Sequence, residues 1–445
     1  MGCARNDTDS DELAARLSAA GWELSDSAED SDAVLVNTCG FVDAAKKDSI
    51  DALLQASDLK ADGQVKAVVA VGCLAERYGK QLAADLPEAD AVLGFDAYAS
   101  IGQTLANIVG GARIDSHNPV DRRRLTPSTP ALRQEALKHG SDQILRVRLD
   151  SKPYAPLKIA SGCDRRCSFC AIPRFRGAYV SRRPTDIIAE AAWLSEHGVK
   201  ELFLVSENST SYGKDLGDMN LLEALLPALA SIDAIERIRV SYLQPAELRS
   251  GLIEAMVSTN KVAPYFDLSF QHASPSVLRR MRRFGGSEEF LGLIHSIRSR
   301  APEAGIRSNV IVGFPGETDA DVDTLCSFIA EARMDVVGVF GYSDEEDTEA
   351  RGFENKLSQR EIDRRVEHVT SLVDEMVSQR AEDRIGQSAR VIMESSTEGR
   401  TAFQGPEVDG ITTVRGAGAR VVGDCVDVTI VDSDGADLIA EVSRD

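Results

Sequence analysis

The sequence predicts an α/β protein in three parts: an N-terminal parallel α/β sheet, a central partial α/β barrel of the TIM type, and a small C-terminal β-barrel. Three observations predict it. Short apolar runs alternate with amphipathic stretches up to about residue 111 and again over 146–384, as in parallel sheets with helices on their faces. From residue 385 the pattern changes to short strands between Gly and Asp turns, which fits a small barrel. Most of the predicted strands end in small polar residues, and in parallel sheets and barrels those ends carry the chemistry.

In the first part, 1–111, Asp9–Ala20 reads as a helix, Ala33–Val36 as a buried strand and Ala44–Ala56 as a helix. Ala67–Val71 and Ala91–Leu93 read as further strands. Cys39 and Cys73 follow two of these strands closely, and Cys3 precedes a helix in the same way. The apolar strand that should lead into Cys3 is missing, and the expectation is a misassigned or trimmed start. Topology places these loops on one rim of the sheet. Residues 112–145 read as a polar linker with the run Asp121–Arg124, the stretch Thr126–Pro130 and a short helix before Gly140.

The central part spans 146–384. Its predicted strands are Leu157–Ala160, Glu201–Val205, Arg237–Val240, Phe266–Phe270, Ser308–Val312 and Asp335–Phe340, with helices at Pro184–His197 and Asn220–Ala230. A long helix, Gln359–Arg384, turns Val366, Val369, Leu372 and Val373 inward. The last part, 385–445, has predicted strands at Ala389–Glu394, Gly410–Val414, Val421–Val422 and Cys425–Val431.

The 445 residues carry a formal net charge of −21. That opposes broad nonspecific binding to nucleic acid, which needs Lys and Arg to neutralise phosphates. It suits a basic protein partner, or solubility alone. No run of eighteen apolar residues and no secretory leader is visible, so a cytoplasmic protein without membrane spans is expected. In that setting the 8 Cys read as ligands rather than as a disulfide framework.

Cys163, Cys167 and Cys170 stand at the spacing C-x3-C-x2-C, just after a predicted strand. Thiolates select zinc, copper(I) or iron–sulfur clusters. A structural zinc takes four ligands, and the nearest histidines, His139 and His197, are distant in sequence. Three thiolates on a four-iron cluster leave one iron open. Cys326, inside a predicted helix, and Cys425, on a predicted strand, read as buried packing residues.

The C-x3-C-x2-C loop with an aromatic before its last Cys resembles the radical-SAM signature. Over nearly its whole length the chain resembles the methylthiotransferase branch of that superfamily. Gly2–Asn6, Asn37–Phe41 and Val71–Leu74 match the three cysteine motifs of the branch's N-terminal domain, Ser161–Pro173 matches its radical-SAM loop, and the last part matches its TRAM domain. Cys3–Asn6, Gly40–Val42 and Gln271–Ser274 look most like the RimO-type enzymes, which methylthiolate the β-carbon of an aspartate in small-subunit ribosomal protein twelve. The terminal part agrees independently. It holds eleven acidic and five basic residues, a net charge of −6, suited to a basic protein and not to tRNA.

The resemblance implies two 4Fe–4S clusters, one on Cys163, Cys167 and Cys170 and an auxiliary one on Cys3, Cys39 and Cys73. It implies that S-adenosyl-L-methionine (SAM) binds the open iron of the first and is cleaved by one electron to a 5′-deoxyadenosyl radical. That radical takes hydrogen from the substrate carbon, which then receives a methylthio group from the second cluster. Such a route suits a β-carbon C–H bond, which no positioned base removes at neutral pH. For SAM contacts the candidates are Phe169 against the adenine, Glu207 and Asn208 at the methionine or ribose end, Gln271, and the turn Gly313–Glu317, where Glu317 also reads as a helix cap. Arg165 and Arg166 read as tuners of the cluster or as a solvated pair, and Arg282 and Arg283 as partners of the SAM carboxylate or as a surface helix. An external electron donor and a sulfur source are implied. The competing readings are a tRNA adenosine methylthiotransferase, served by Arg174, Arg176, Arg182 and Arg183, and a non-enzymatic two-cluster electron carrier or zinc scaffold.

Overall fold

A computed structural model describes residues 3–40, 43–63, 65–124, 146–406, 408–416 and 418–443. Met1, Gly2, Phe41, Val42, the stretch Thr126–Pro130 and the helix expected before Gly140 lie outside the described residues. The chain forms two compact units: Met1–Ser151 with Ile172–Ala178, and Lys152–Ala171 with Tyr179–Asp445.

In the first unit the strands β1 (Ala33–Thr38), β2 (Ala67–Val71) and β3 (Ala91–Val92) form a parallel sheet in that order. Strand β2 is buried throughout, and its side chains alternate between two cores as the pleat requires. Ala67, Val69 and Val71 meet Leu13, Leu17, Ile101 and Leu105. Val68 and Ala70 meet Leu53, Leu74 and Leu82 on the other face. The first helix, Ala4–Ala19, begins directly after Cys3 and not at Asp9. A helix at Gly72–Asp85 follows β2 with no intervening loop; its start at two small residues gave no capping signal. Arg122 and Arg123, expected in a linker, are paired within this unit: Arg122 with Glu76 (2.5 Å) and Asp96, Arg123 with Asp121.

In the second unit, β4 (Tyr154–Lys158), β5 (Ala160–Ser161), β6 (Val180–Ser181), β7 (Glu201–Val205), β8 (Arg237–Val240), β9 (Tyr265–Gln271), β10 (Gly305–Val312) and β11 (Val336–Gly341) follow one another. β4-β7-β8 and β9-β10-β11 are parallel sheets. Parallel bridges Ile238–Val262 and Leu243–Leu268 stitch the seam between them, so six strands run in chain order around a partial barrel. The strand expected at Leu157–Ala160 divides in two. Its first part stays beside β7, and Ala160–Ser161 turns away to pair antiparallel with β6. The long helix Gln359–Glu382 buries Ile362, Val369, Val373, Val377 and Ala381, with Val366 and Leu372 half-buried beside them.

The terminal strands β12 (Ser388–Met393), β13 (Glu398–Arg400), β14 (Thr412–Arg415), β15 (Cys425–Asp434) and β16 (Asp437–Val442) close a barrel in the order β12-β13-β14-β16-β15. Val421 and Val422, read as a strand, instead lie in a turn, 65 % and 49 % exposed. Asp424 accepts the Val421 N–H at 2.9 Å and closes that turn. Three buried arginines and one glutamate tie this barrel to the start of β7 and β8. Glu201 takes Arg239, Arg237 and Arg400, while Arg237 and Arg239 donate to the carbonyls of Arg390, Arg400, Thr401 and Ala402.

Candidate metal centres

In the second unit the loop between β5 and β6 carries Cys163, Cys167 and Cys170, all half-buried. It lies at the carboxyl ends of the barrel strands, as expected. Ser168 anchors it: its N–H donates to Met281 O (3.1 Å), its hydroxyl to Arg280 O (2.8 Å), and its carbonyl accepts from Ala350 N (2.8 Å). Burial pushes the Cys163 thiol up to about 11, and charge on Cys167 and Glu207 adds to the shift. Arg165 is not a solvated charge. It pairs with Glu247 at 2.7 Å, whose carboxylate also accepts from Asn208 Nδ2 (2.7 Å) and Ser211 Oγ (2.9 Å). Arg166 is exposed.

Arg283 and Arg282 part company. Arg283 is half-buried and directs Nη1 toward Cys167 Sγ at 3.7 Å and Nη2 onto Gln244 Oε1 at 2.6 Å. Arg282 faces solvent in an ion pair with Glu349. Phe169 is half-buried and leans on the apolar cluster of Val277, Met281, Phe314 and Tyr342. Gln271 ends β9 with φ at +70°, a left-handed conformation that a non-glycine residue adopts at a cost.

Glu317 corrects the sequence reading. Its carboxylate does not reach outward. It accepts the Gly313 N–H (2.9 and 3.0 Å) and pairs with Arg365 (2.8 Å), closing the turn from inside. Burial opposes its charge, but His272 and Arg365 hold it below the usual carboxylate range. The helix cap is Thr318, in a reciprocal box with Asp321. His272 is likewise built into the fold: Nδ1 accepts from Ala273 N and Ser274 N at 2.9 Å each, which leaves Nε2 facing Glu317 at 3.5 Å. Cys326 and Cys425 are half-buried rather than buried, Cys326 lying 3.8 Å from His368 Nε2.

In the first unit the structure draws the three other cysteine loops together. Cys3 caps the first helix, and its carbonyl accepts from Asn6 N and Asp7 N. Asn6 and Asn37 exchange side-chain-to-backbone hydrogen bonds of 3.2 and 2.9 Å, which fixes Cys3 beside the end of β1. The end of β1 is fixed to the end of β2 in turn, Thr38 Oγ1 donating to Val71 O. Two glycines permit that approach. A Cβ on Gly40 would stand 2.9 Å from the Cys73 carbonyl carbon, and one on Gly72, at φ +90°, 2.2 Å from Asn37 Oδ1.

Cys39 and Cys73 are buried. Burial pushes the Cys73 thiol up to about 11. Burial acts on Cys3 too, but Arg5 and Arg176 outweigh it and hold that thiol below its ordinary value. Arg176, which the competing tRNA reading would use, has a side chain only 6 % exposed. It donates to Cys73 Sγ at 3.0 Å and to Asp9 Oδ2 at 2.9 Å. Arg182 pairs with Glu190 at 2.6 Å. No local pattern marks the Arg176–Asp9 pair, since 167 residues separate the two.

Among the described residues no three His, Cys, Asp or Glu converge as ligands of one metal ion. Both triads supply only soft thiolate donors, three to a site, which fits 4Fe–4S clusters with one open iron.

Three family models match. The one described as Uncharacterized protein family UPF0004 matches residues 1–94, Radical SAM superfamily 157–329, and TRAM domain 385–442. A protein of Nocardioides sp. named ribosomal protein uS12 methylthiotransferase RimO is 60% identical over 99% of this chain and 95% of its own length. One of the same name from Kineococcus radiotolerans is 58% identical over 99% of this chain and 96% of its own. Among solved structures, the radical S-adenosylmethionine methyltransferase TsrM of Kitasatospora setae, with cobalamin and a [4Fe-4S] cluster bound, is similar in fold. Its TM-score is 0.51 at 14% identity, over 69% of this chain and 63% of that one.

Proposed function

The chain belongs to the family of ribosomal protein uS12 methylthiotransferases (RimO), within the radical-SAM superfamily, and from that premise we propose that it adds a methylthio group to the β-carbon of one aspartate of ribosomal protein uS12. Membership of the superfamily implies one 4Fe–4S cluster and SAM. We assign that cluster to Cys163, Cys167 and Cys170, and a second to Cys3, Cys39 and Cys73. The observation that carries the reading is the pair of three-thiol sites, one in each unit, on a chain related to these enzymes over its whole length. When bound, the cofactors supply the one-electron chemistry that breaks an unactivated C–H bond, and the sulfur and methyl that replace the hydrogen.

The chain's own residues hold and shape these sites. Ser168 and the Arg165–Glu247 pair fix the first cysteine loop. Arg283, aimed at Cys167, offsets negative charge on that triad. Phe169, Glu207, Asn208, Gln271 and the main chain at Gly313 are the proposed lining for SAM. The domain division follows as 1–111, 146–384 and 385–445 around a linker at 112–145. The terminal barrel's excess of acid over base supports a basic protein substrate over tRNA. An electron donor and a sulfur source come from outside the chain, and the reaction belongs in the cytoplasm, where ribosomal proteins are assembled.

A competition assay tests the reading. The protein is reconstituted with iron and sulfide without oxygen, given SAM, reductant and sulfide, and offered uS12 and unmodified tRNA together. Mass spectrometry is expected to find a methylthio gain on one aspartate of uS12. A gain on tRNA adenosine instead would move the chain to the RNA-modifying branch.

A further inference from the structure

Arg176 stands apart from the other arginines in the first unit. Its guanidinium bridges two buried groups, donating to Cys73 Sγ at 3.0 Å and to Asp9 Oδ2 at 2.9 Å. It also lies over the Phe95 ring, 5.1 Å from the centroid, so its plane is held by a carboxylate at one end and an aromatic face below. Metal sites use such arrangements: a carboxylate orients the group that touches a ligand and so tunes the metal. Here the oriented group is a cation with an N–H aimed at sulfur.

We propose that Arg176, oriented by Asp9, is the positioning residue of the auxiliary cluster: it fixes Cys73 for ligation and raises the cluster's reduction potential. The proposal rests on the assignment of that cluster to Cys3, Cys39 and Cys73. A reduced cluster carries one more negative charge than an oxidised one. Hydrogen bonds to its sulfurs and nearby positive charge therefore favour the reduced form. The Asp9 carboxylate limits the field of the guanidinium but holds its Nη2 beside the sulfur, so the directional N–H···S contact carries most of the effect.

The test uses the full chain with Cys163, Cys167 and Cys170 all changed to Ala, so that only the auxiliary cluster can load. Removing Arg176 alone would take a cationic partner from the buried Asp9 carboxylate. The variant is therefore the pair Asp9→Asn with Arg176→Met, compared with the Cys→Ala parent. Iron and sulfide content and the midpoint potential, followed by electron paramagnetic resonance during anaerobic reductive titration, are the readouts. The expected result is a lower potential; a tenfold weaker hold on the added electron corresponds to about 59 mV. Reduced cluster content with an unchanged circular dichroism spectrum would also support the positioning role. Parent content at parent potential would overturn it. If the parent itself loads no cluster, the auxiliary-cluster assignment fails and the inference with it. Should the double variant unfold, Arg176→Lys replaces it. A lysine keeps the positive charge, but its flexible stem lacks the fixed planar N–H aimed at Cys73, so a lower potential supports the proposal and a parent-like one overturns it.

Discussion

Glu201 accepts the Arg239 Nε–H at 2.7 Å, and neither side chain has any solvent exposure. The same carboxylate serves Arg237 and Arg400. Burial alone would keep Glu201 protonated, but the three guanidinium groups win and hold it at about 2. Glu201→Gln removes the counter-charge of Arg237 and Arg239, while Arg400 keeps Glu394. The expected loss is about 3–5 kcal/mol of stability, read by urea unfolding at neutral pH.

The same depressed value fixes a pH window. An acid held lower in the folded chain than in the unfolded one adds stability above its unfolded value. That contribution is expected to fade as the pH falls from about 4.5 toward 2. Thermal melts across that range should show a shallower acid-side decline in Glu201→Gln than in the parent.

The two thiol triads should separate in function. Cys163→Ala is expected to abolish SAM cleavage, measured as 5′-deoxyadenosine by chromatography. Cys3→Ala should keep cleavage and lose the methylthio gain on uS12. Normal methylthiolation by Cys3→Ala would refute the auxiliary-cluster assignment.

Gly72→Ala meets both a positive φ and an obstacle, because its Cβ would stand 2.2 Å from Asn37 Oδ1 and 2.6 Å from Thr38 O. The ends of β1 and β2 must then separate. We expect a stability loss above about 1 kcal/mol and about half the iron of the parent after reconstitution. The cluster on Cys163, Cys167 and Cys170 should remain, visible as undiminished SAM cleavage.

On the terminal barrel, Asp427, Asp432 and Glu441 are exposed on β15 and β16. Changing all three to Asn or Gln should weaken uS12 binding and flatten its salt dependence, since rim charges act mainly on encounter. Titrations at two salt concentrations check it.

Strand positions in the parallel sheets were legible because buried parallel strands read as apolar runs; Ala67–Val71 and Glu201–Val205 coincide with the expectation. Spacing and strand-end position singled out two cysteine triads, and the structure does draw the loops of Cys3, Cys39 and Cys73 together. What escaped was either polar or non-local. β13 and β16 carry too few apolar residues in a row to announce themselves. Val421 and Val422 carried the right residue types, but no neighbour pairs with them. The inward turn of Glu317 and of Arg176 escaped for one reason. Their partners, Arg365 and Asp9, lie 48 and 167 residues away, and no local pattern reports whether a charged side chain turns inward.

The joint at the base of β7 and β8 has a consequence for how this protein can diversify. Arg237 and Arg239 grip the terminal barrel by main-chain carbonyls at positions 390, 400, 401 and 402. Every amino acid supplies that carbonyl, so most of the grip is indifferent to the side chains the barrel displays. The outer surface can be rewritten, even reversed in sign, while the mount stays in place. Recognition and attachment can therefore change on separate schedules, and one catalytic body can be refitted for a differently charged substrate by exchanging surface residues alone.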